Sequence, residues 1–204
     1  HRLGIQAFAP VGVNTIKFQY TRAHRLHKDD PQLEWFERAE LSDWEFRALR
    51  QTCKDWSVGF MLTVYHPGDV AAVRELTDYV KVGSGEAHSE ALANAIQVAH
   101  FRRVVVSNGI RPPHDLYRHM GAQQLACISR YPHPSDLVPA RLLETFSDGW
   151  SDHCVGLDGC MTAIALGARI IEKHVCIPTQ SRPIAPYEAT VEDMRTLRHW
   201  ANQD

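Results

Sequence analysis

Several features that would place this chain of 204 residues in other protein classes are missing from it. No run of about eighteen apolar residues occurs, which argues against a membrane-spanning helix. No basic leader with an apolar stretch behind it opens the chain, so no secretion signal is read. The net charge is only −2, so neither a general nucleic-acid binder nor a partner of membrane surfaces is expected. The five cysteines, Cys53, Cys127, Cys154, Cys160 and Cys176, are odd in number, and none are spaced C-x₂-C. That pattern reads as buried thiols of a reduced, cytoplasmic protein, not as a disulfide framework or structural zinc. A zinc site drawn from His153, Cys154, Cys160, His174 and Cys176 is the weaker alternative. Internal repeats and low-complexity linkers are also missing, so residues 1–204 read as one domain, long enough to bury a core.

What the chain does contain is an alternation of short apolar runs and helical patterns. Strand-like runs cover Asn14–Tyr20, Val58–Tyr65, Asp78–Val82, Arg103–Ser107, Gln124–Ser129, Gly149–His153 and Ala168–Cys176. Helical patterns lie between them. One follows Ser42, with Glu45 completing a capping box. Others are SEALANAIQVAH, PSDLVPARLLETF, CMTAIALGA and TVEDMRTLRHWANQ. Strands apolar on both faces and separated by helices predict a parallel sheet. Seven strands fit a (β/α)8 barrel, a TIM barrel, better than an open sheet, with the first strand expected upstream of residue 1 and His1–Phe8 as the remnant of the first helix. Residues 21–40 are polar and poorly periodic, and read as a long loop at the barrel mouth.

Chemistry in such a barrel collects where strands end. The predicted ends carry Lys17 and Gln19; Thr63 and Tyr65; Lys81, Ser84 and Glu86; Ser107; Ser129, Arg130 and Tyr131; Ser151 and His153; and Glu172 and His174. Lysines supply point charge and hydroxyls supply directional donors, a combination suited to phosphate plus carboxylate. Two imidazoles on neighbouring strands suit a divalent transition metal. The two-residue period puts Glu172, His174 and Cys176 on one face. Taken singly, a strand-end serine usually caps the next helix and a lone lysine usually faces solvent. Their recurrence at nearly every strand end points to an enzyme for a small phosphorylated or carboxylated substrate with metal help.

The ordered series KFQ, KVGSGE, SNG, CISRYPHP, SDH and ALGARIIEKH resembles the barrel domain of the N-acetylneuraminate (sialic acid) synthases, including the legionaminic and pseudaminic acid synthases. The resemblance runs from about Asn14 to His174. It implies a transferase that condenses phosphoenolpyruvate (PEP) with an open-chain aldose such as N-acetylmannosamine or a modified hexosamine. By that likeness PEP contacts fall on Lys17, Thr63, Lys81, Ser84, Ser107, Ser129 and Ser151, and acceptor contacts on Gln19, Glu86 and Tyr131. A divalent metal, manganese before magnesium or cobalt, falls on His153 and His174. Glu172, Lys81 and Glu86 are the catalytic candidates, with Glu172 as the group that activates water. The partners implied are PEP and a sugar aldehyde, with a homo-oligomer left open.

Four departures from the family pattern stand out. Its opening strand signature is not found, and neither is a C-terminal antifreeze-like domain. The Gly-Pro-Asp-His expected after the last long strand reads SRPIAPYEATVED, where Arg182, Tyr187 or Glu188 are the candidate replacements. The Ser-Thr-Pro-Phe-Asp after the second strand reads LTVYHPGD. These departures cluster on the acceptor side. The competing readings are a non-catalytic or regulatory relative that binds a phosphorylated ligand, a deoxy-octulosonate or deoxy-heptulosonate type of PEP-aldose synthase, and a metal-assisted hydrolase.

Overall fold

The computed structural model describes residues 1–31, 33–145, 147–178 and 183–202. Among the described residues eight strands follow one another along the chain, with helices between successive strands up to the seventh. They are β1 (Thr15–Tyr20), β2 (Gly59–Val64), β3 (Tyr79–Val82), β4 (Arg103–Asn108), β5 (Gln123–Cys127), β6 (Gly149–Asp152), β7 (Ile170–Val175) and β8 (Glu188–Ala189). The helices are α1 (Arg2–Phe8), α2 (Leu33–Ala39), α3 (Asp43–Asp55), α4 (Val70–Leu76), α5 (Glu90–Ala99), α6 (Asp115–His119), α7 (Val138–Thr145), α8 (Asp158–Ala165) and α9 (Val191–Trp200). Each strand pairs in parallel with the next, in the order β1 to β8. This curled parallel sheet with intervening helices is the (β/α)8 barrel architecture.

The seven longer strands coincide with the seven apolar runs. The eighth, two residues long, was not expected; it pairs His174 with Glu188 and Val175 with Ala189. Residues of β1 and β7 are mostly half-buried, whereas those of β2 to β6 are mostly buried. Among the described residues β1 has only β2 as a ladder partner.

Local chemistry explains the helix starts. Ser42 Oγ accepts from the Glu45 amide, and Glu45 Oε2 accepts from the Ser42 amide at 2.8 Å, so a capping box opens α3 as expected. Thr190 and Asp193 open α9 in the same way. Residues 21–40 are not simply loop. They contain α2, and they are tied down by Arg22 to Glu40 and Asp43, by the Ala23 amide to Glu40 (2.7 Å) and by Arg25 to Asp69 (2.8 Å).

Side chains divide by the two-residue period. Outward residues such as Ile16, Leu62, Val80, Val104 and Val106 pack with Phe46, Leu49, Leu92 and Ile96 of the helices. Trp150 and Ala126 pack outward against Val138 and Ala163. Inward, Met61, Val105 and Leu125 form an apolar floor with Tyr79 and Ile170. Gly149 marks the tightest approach between β6 and β7, because a Cβ there would lie 2.0 Å from the Ile170 carbonyl oxygen. Gly149→Ala should therefore cost about 3 kcal/mol, as overpacking against backbone does. Urea unfolding measures it, and an unchanged midpoint would contradict this close strand pairing.

Candidate functional site

Above the apolar floor the inward face turns polar. Lys17, Thr63, Lys81, Ser107, Cys127, Ser151 and Glu172 occupy successive inward positions of β1 to β7, set there by the ladder registers. Most of them form one connected network. Lys81 Nζ donates to Ser107 Oγ at 2.6 Å and to the Val82 carbonyl at 3.0 Å. Glu172 lies 3.5 Å from Lys17 Nζ and 3.6 Å from Lys81 Nζ, and Ser151 Oγ donates to it at 2.7 Å. Ser84 and Ser129 share a hydrogen bond of 2.6 Å. Thr63 is 2% exposed, and its hydroxyl is without a protein partner among the described residues. A buried hydroxyl left open in this way is a place where a ligand atom gains a bond at no competing cost.

Charge balance in this layer is lopsided. Burial pushes the Glu172 carboxyl up, but the charges of Lys17 and Lys81, the Ser151 hydrogen bond and His174 more than offset it and hold it well below the usual carboxylate range. Burial pushes Lys81 down, while Glu172 supports its ammonium form. Two cations face one anion, so the layer can accept further negative charge. Glu86, on the loop after β3, behaves in the opposite way: burial pushes its carboxyl up.

The two histidines stand one step above this layer. Their ring centroids are 5.5 Å apart. His153 Nδ1 is 2.9 Å from the Ile128 carbonyl, a bond that needs the proton on Nδ1 and leaves the Nε2 lone pair free. Burial pushes both imidazoles down, His174 to about 4 with Lys17 and His153 adding to the effect, so both are neutral near pH 7. Two imidazoles sharing one ion at an ordinary metal–nitrogen distance of about 2.1 Å have centroids about 5 Å apart, so this pair fits a divalent transition metal. Tyr131 lies against His153 at 3.9 Å between centroids, and Tyr187 lies edge-on to both His174 (5.4 Å) and Tyr131 (5.3 Å). The short β8 creates that second contact, because pairing Glu188 with His174 brings Tyr187 alongside.

A second donor set, His133, Asp152 and Cys154, is buried with its ligand-type atoms within 4.8 Å of one another. It is less suited to a cation. Asp152 already accepts from Trp150 Nε1 (2.7 Å) and pairs with Lys173. The Cys154 sulfur is 3.5 and 3.6 Å from the two ring nitrogens of His133, so the thiol and the imidazole already contact each other. Burial, with Asp152 next to it, pushes the Cys154 thiol up to about 12.

The structure thus brings together Lys17, Thr63, Lys81, Ser107, Ser151 and Glu172, with Ser84, Ser129, His153, His174 and Tyr131 around the same mouth. Gln19 pairs in register with Thr63 but is exposed, as is Arg130. Arg182 lies outside the described residues. All five cysteines are buried, and none forms a disulfide among the described residues. The residue pattern gave no role in the site to Cys127 or Tyr65, and it named Tyr187 only as a candidate replacement on the acceptor side. Cys127 is two residues before Ser129, and the strand period alone would have placed it inward. Tyr65 was noted only as a strand end, yet its phenol is pushed up by burial and by Glu86 and Glu172. Tyr187 reaches the site only through β8.

The chain is similar to known proteins over most of its length. A profile of the NeuB family matches residues 5–197. N,N'-diacetyllegionaminic acid synthase of Campylobacter jejuni is 25% identical over 83% of this chain and 60% of its own length. The spore coat polysaccharide biosynthesis protein SpsE of Bacillus subtilis is 26% identical over 85% of this chain and 54% of its own length. An uncharacterized protein of Methanocaldococcus jannaschii is 27% identical over 80% of this chain and 53% of its own length. The chain thus spans little more than half the length of these curated relatives. The crystal structure of a sialic acid synthetase from Leptospira borgpetersenii superposes with a TM-score of 0.88 at 21% identity, over 99% of this chain and 76% of that one.

The depressed groups fix the sign of a pH effect. A histidine with a folded-state value of about 4, against about 6.5 when unfolded, stays neutral while the unfolded chain takes up a proton. Its contribution to stability is complete above about pH 6.5 and falls as pH drops toward about 4. The lowered Glu172 acts in the same direction at lower pH. In the metal-free protein the His174 ring should titrate by NMR near pH 4, and a midpoint near the ordinary value would contradict its burial among cations.

Proposed function

The chain belongs to the NeuB family, and on that premise we propose that it condenses PEP with the aldehyde of an open-chain aldose, an N-acetylmannosamine-like or modified sugar. The PEP methylene carbon bonds to the aldehyde carbon, and the aldehyde oxygen takes a proton and becomes a hydroxyl. Water adds to the enol-derived carbon, loses a proton, and inorganic phosphate leaves by C–O cleavage. The product is a 2-keto acid longer by three carbons.

The observation that carries this reading is the polar layer beneath the histidines. It has two lysines around one carboxylate, hydroxyls at Ser107 and Ser151, and an unpartnered hydroxyl at Thr63. Lys17 and Lys81 would hold the phosphate and carboxylate of PEP and stabilise the charge on the departing phosphate. Thr63, Ser84, Ser107, Ser129 and Ser151 would orient it by hydrogen bonds. A divalent metal, manganese first among the candidates, would be held by His153 and His174 and would polarise the acceptor's aldehyde oxygen as a Lewis acid. Tyr131 and Tyr187, with Gln19 and Glu86, would face the acceptor. Glu172 is a weak base while both lysines pair with it, whereas the raised Glu86 is better matched to carrying a proton. A cytoplasmic setting suits five buried cysteines without a disulfide among the described residues.

Incubation with PEP, Mn²⁺ and a panel of aldoses should release phosphate only when an acceptor is present. No acceptor-dependent phosphate with any member would overturn the reading. Thr63→Val should raise the KM for PEP by about tenfold, the worth of one hydrogen bond to a charged ligand. Tyr187→Ala should raise the acceptor KM and leave that of PEP unchanged, and the reverse pattern would remove Tyr187 from the acceptor side.

A further inference from the structure

The residues that follow Ser151 and Glu172 point away from the barrel interior, and two of them are charged. Asp152 and Lys173 are ladder partners on β6 and β7, with side chains 0% and 1% exposed. Lys173 Nζ donates to Asp152 Oδ2 and, at 2.8 Å, to the backbone carbonyl of Cys154. One ammonium group therefore grips the residues on both sides of His153, and it belongs to the residue immediately before His174. The other carboxylate oxygen accepts from the buried Trp150 indole at 2.7 Å. The first turn of α8 closes over it: a Cβ at Gly159 would lie 2.3 Å from Asp152 Oδ1.

Stability alone gives a poor reason for this pair. Burying two opposite charges costs most of what their attraction returns, and an apolar pair of similar volume often does as well or better. What an apolar pair lacks is direction. A slip of one residue between β6 and β7 would turn His153 or His174 to the outer face, and Lys173 bonds to both sides of His153 only in the observed register. The backbone bond from the His133 amide to the His153 carbonyl (3.3 Å) ties the same residue to the β5 side.

We propose that Lys173, through Asp152 and the Cys154 carbonyl, is a positioning residue that sets the separation of the His153 and His174 rings and thereby the affinity of the pair for a divalent metal. This inference rests on the metal-binding reading of the two histidines. It adds to that reading an outer-face device that touches neither substrate nor ion. Partners of this kind, one step behind the ligands, change metal affinity by about 10- to 100-fold when altered.

The test uses Lys173→Met, which keeps the length of the side chain and removes its charge, and the double variant Asp152→Asn/Lys173→Met, which leaves no unpaired buried charge if the single variant fails to fold. Mn²⁺ affinity is measured by the electron paramagnetic resonance of the free ion. PEP affinity without metal is measured by calorimetry on the same samples. The expected result, in whichever variant is folded by circular dichroism, is Mn²⁺ affinity lower by about tenfold or more with PEP affinity unchanged. Equal Mn²⁺ affinity in a folded variant overturns the positioning role while leaving the metal reading intact, and so does an equal loss of Mn²⁺ and PEP affinity. A wild-type protein that holds no Mn²⁺ overturns the metal reading, and the positioning role with it.

Discussion

A carboxylate held between two ammonium groups lies at the centre of this barrel. Glu172 keeps its charge in a largely buried position because Lys17 and Lys81 face it and Ser151 donates to it. Without those partners, burial would favour the neutral acid. With them, the layer keeps a surplus of positive charge and a set of hydroxyls already turned inward. That surplus favours a further negative charge, and it adds to the effect of burial in keeping His174 neutral.

Strand geometry makes the arrangement possible. Parallel strands in register place every second residue on the inner face, so a chain that writes apolar, polar and imidazole-bearing residues at successive inward positions builds three tiers: a floor of Met61, Val105 and Leu125, a charged layer, and the histidine pair. The same alternation sends Asp152 and Lys173 outward beneath α8. The inner and outer faces of β6 and β7 are therefore coupled, and the chemistry of one depends on the packing of the other.

Much of this was legible in the sequence, for identifiable reasons. The seven long strands announced themselves by apolar runs, and Ser42 with Glu45 announced α3 by a capping box. Lys81, Ser107, Ser151 and Glu172 were found because a parallel barrel gathers strand ends at one mouth, so their meeting needed no knowledge of loops. What stayed hidden depended on contacts between segments. Tyr187 was named as an acceptor-side candidate, but its contact with His174 runs through a strand of two residues, too short to leave a pattern. Asp152 and Lys173 read as the middle letters of two separate triplets, and only the β6–β7 register shows that they pair. The helix α2 sits in a polar, poorly periodic stretch, and Arg22 and Arg25 fix its surroundings by long-range ion pairs.

The most direct measurement of the central claim is anomalous diffraction at the manganese edge from crystals grown with Mn²⁺ and PEP. One anomalous peak bonded to both His153 and His174 is expected, with the phosphate and carboxylate of PEP taken up by Lys17 and Lys81 and the Thr63 hydroxyl bonded to the ligand. A peak elsewhere, or PEP bound away from the two lysines, would contradict that claim.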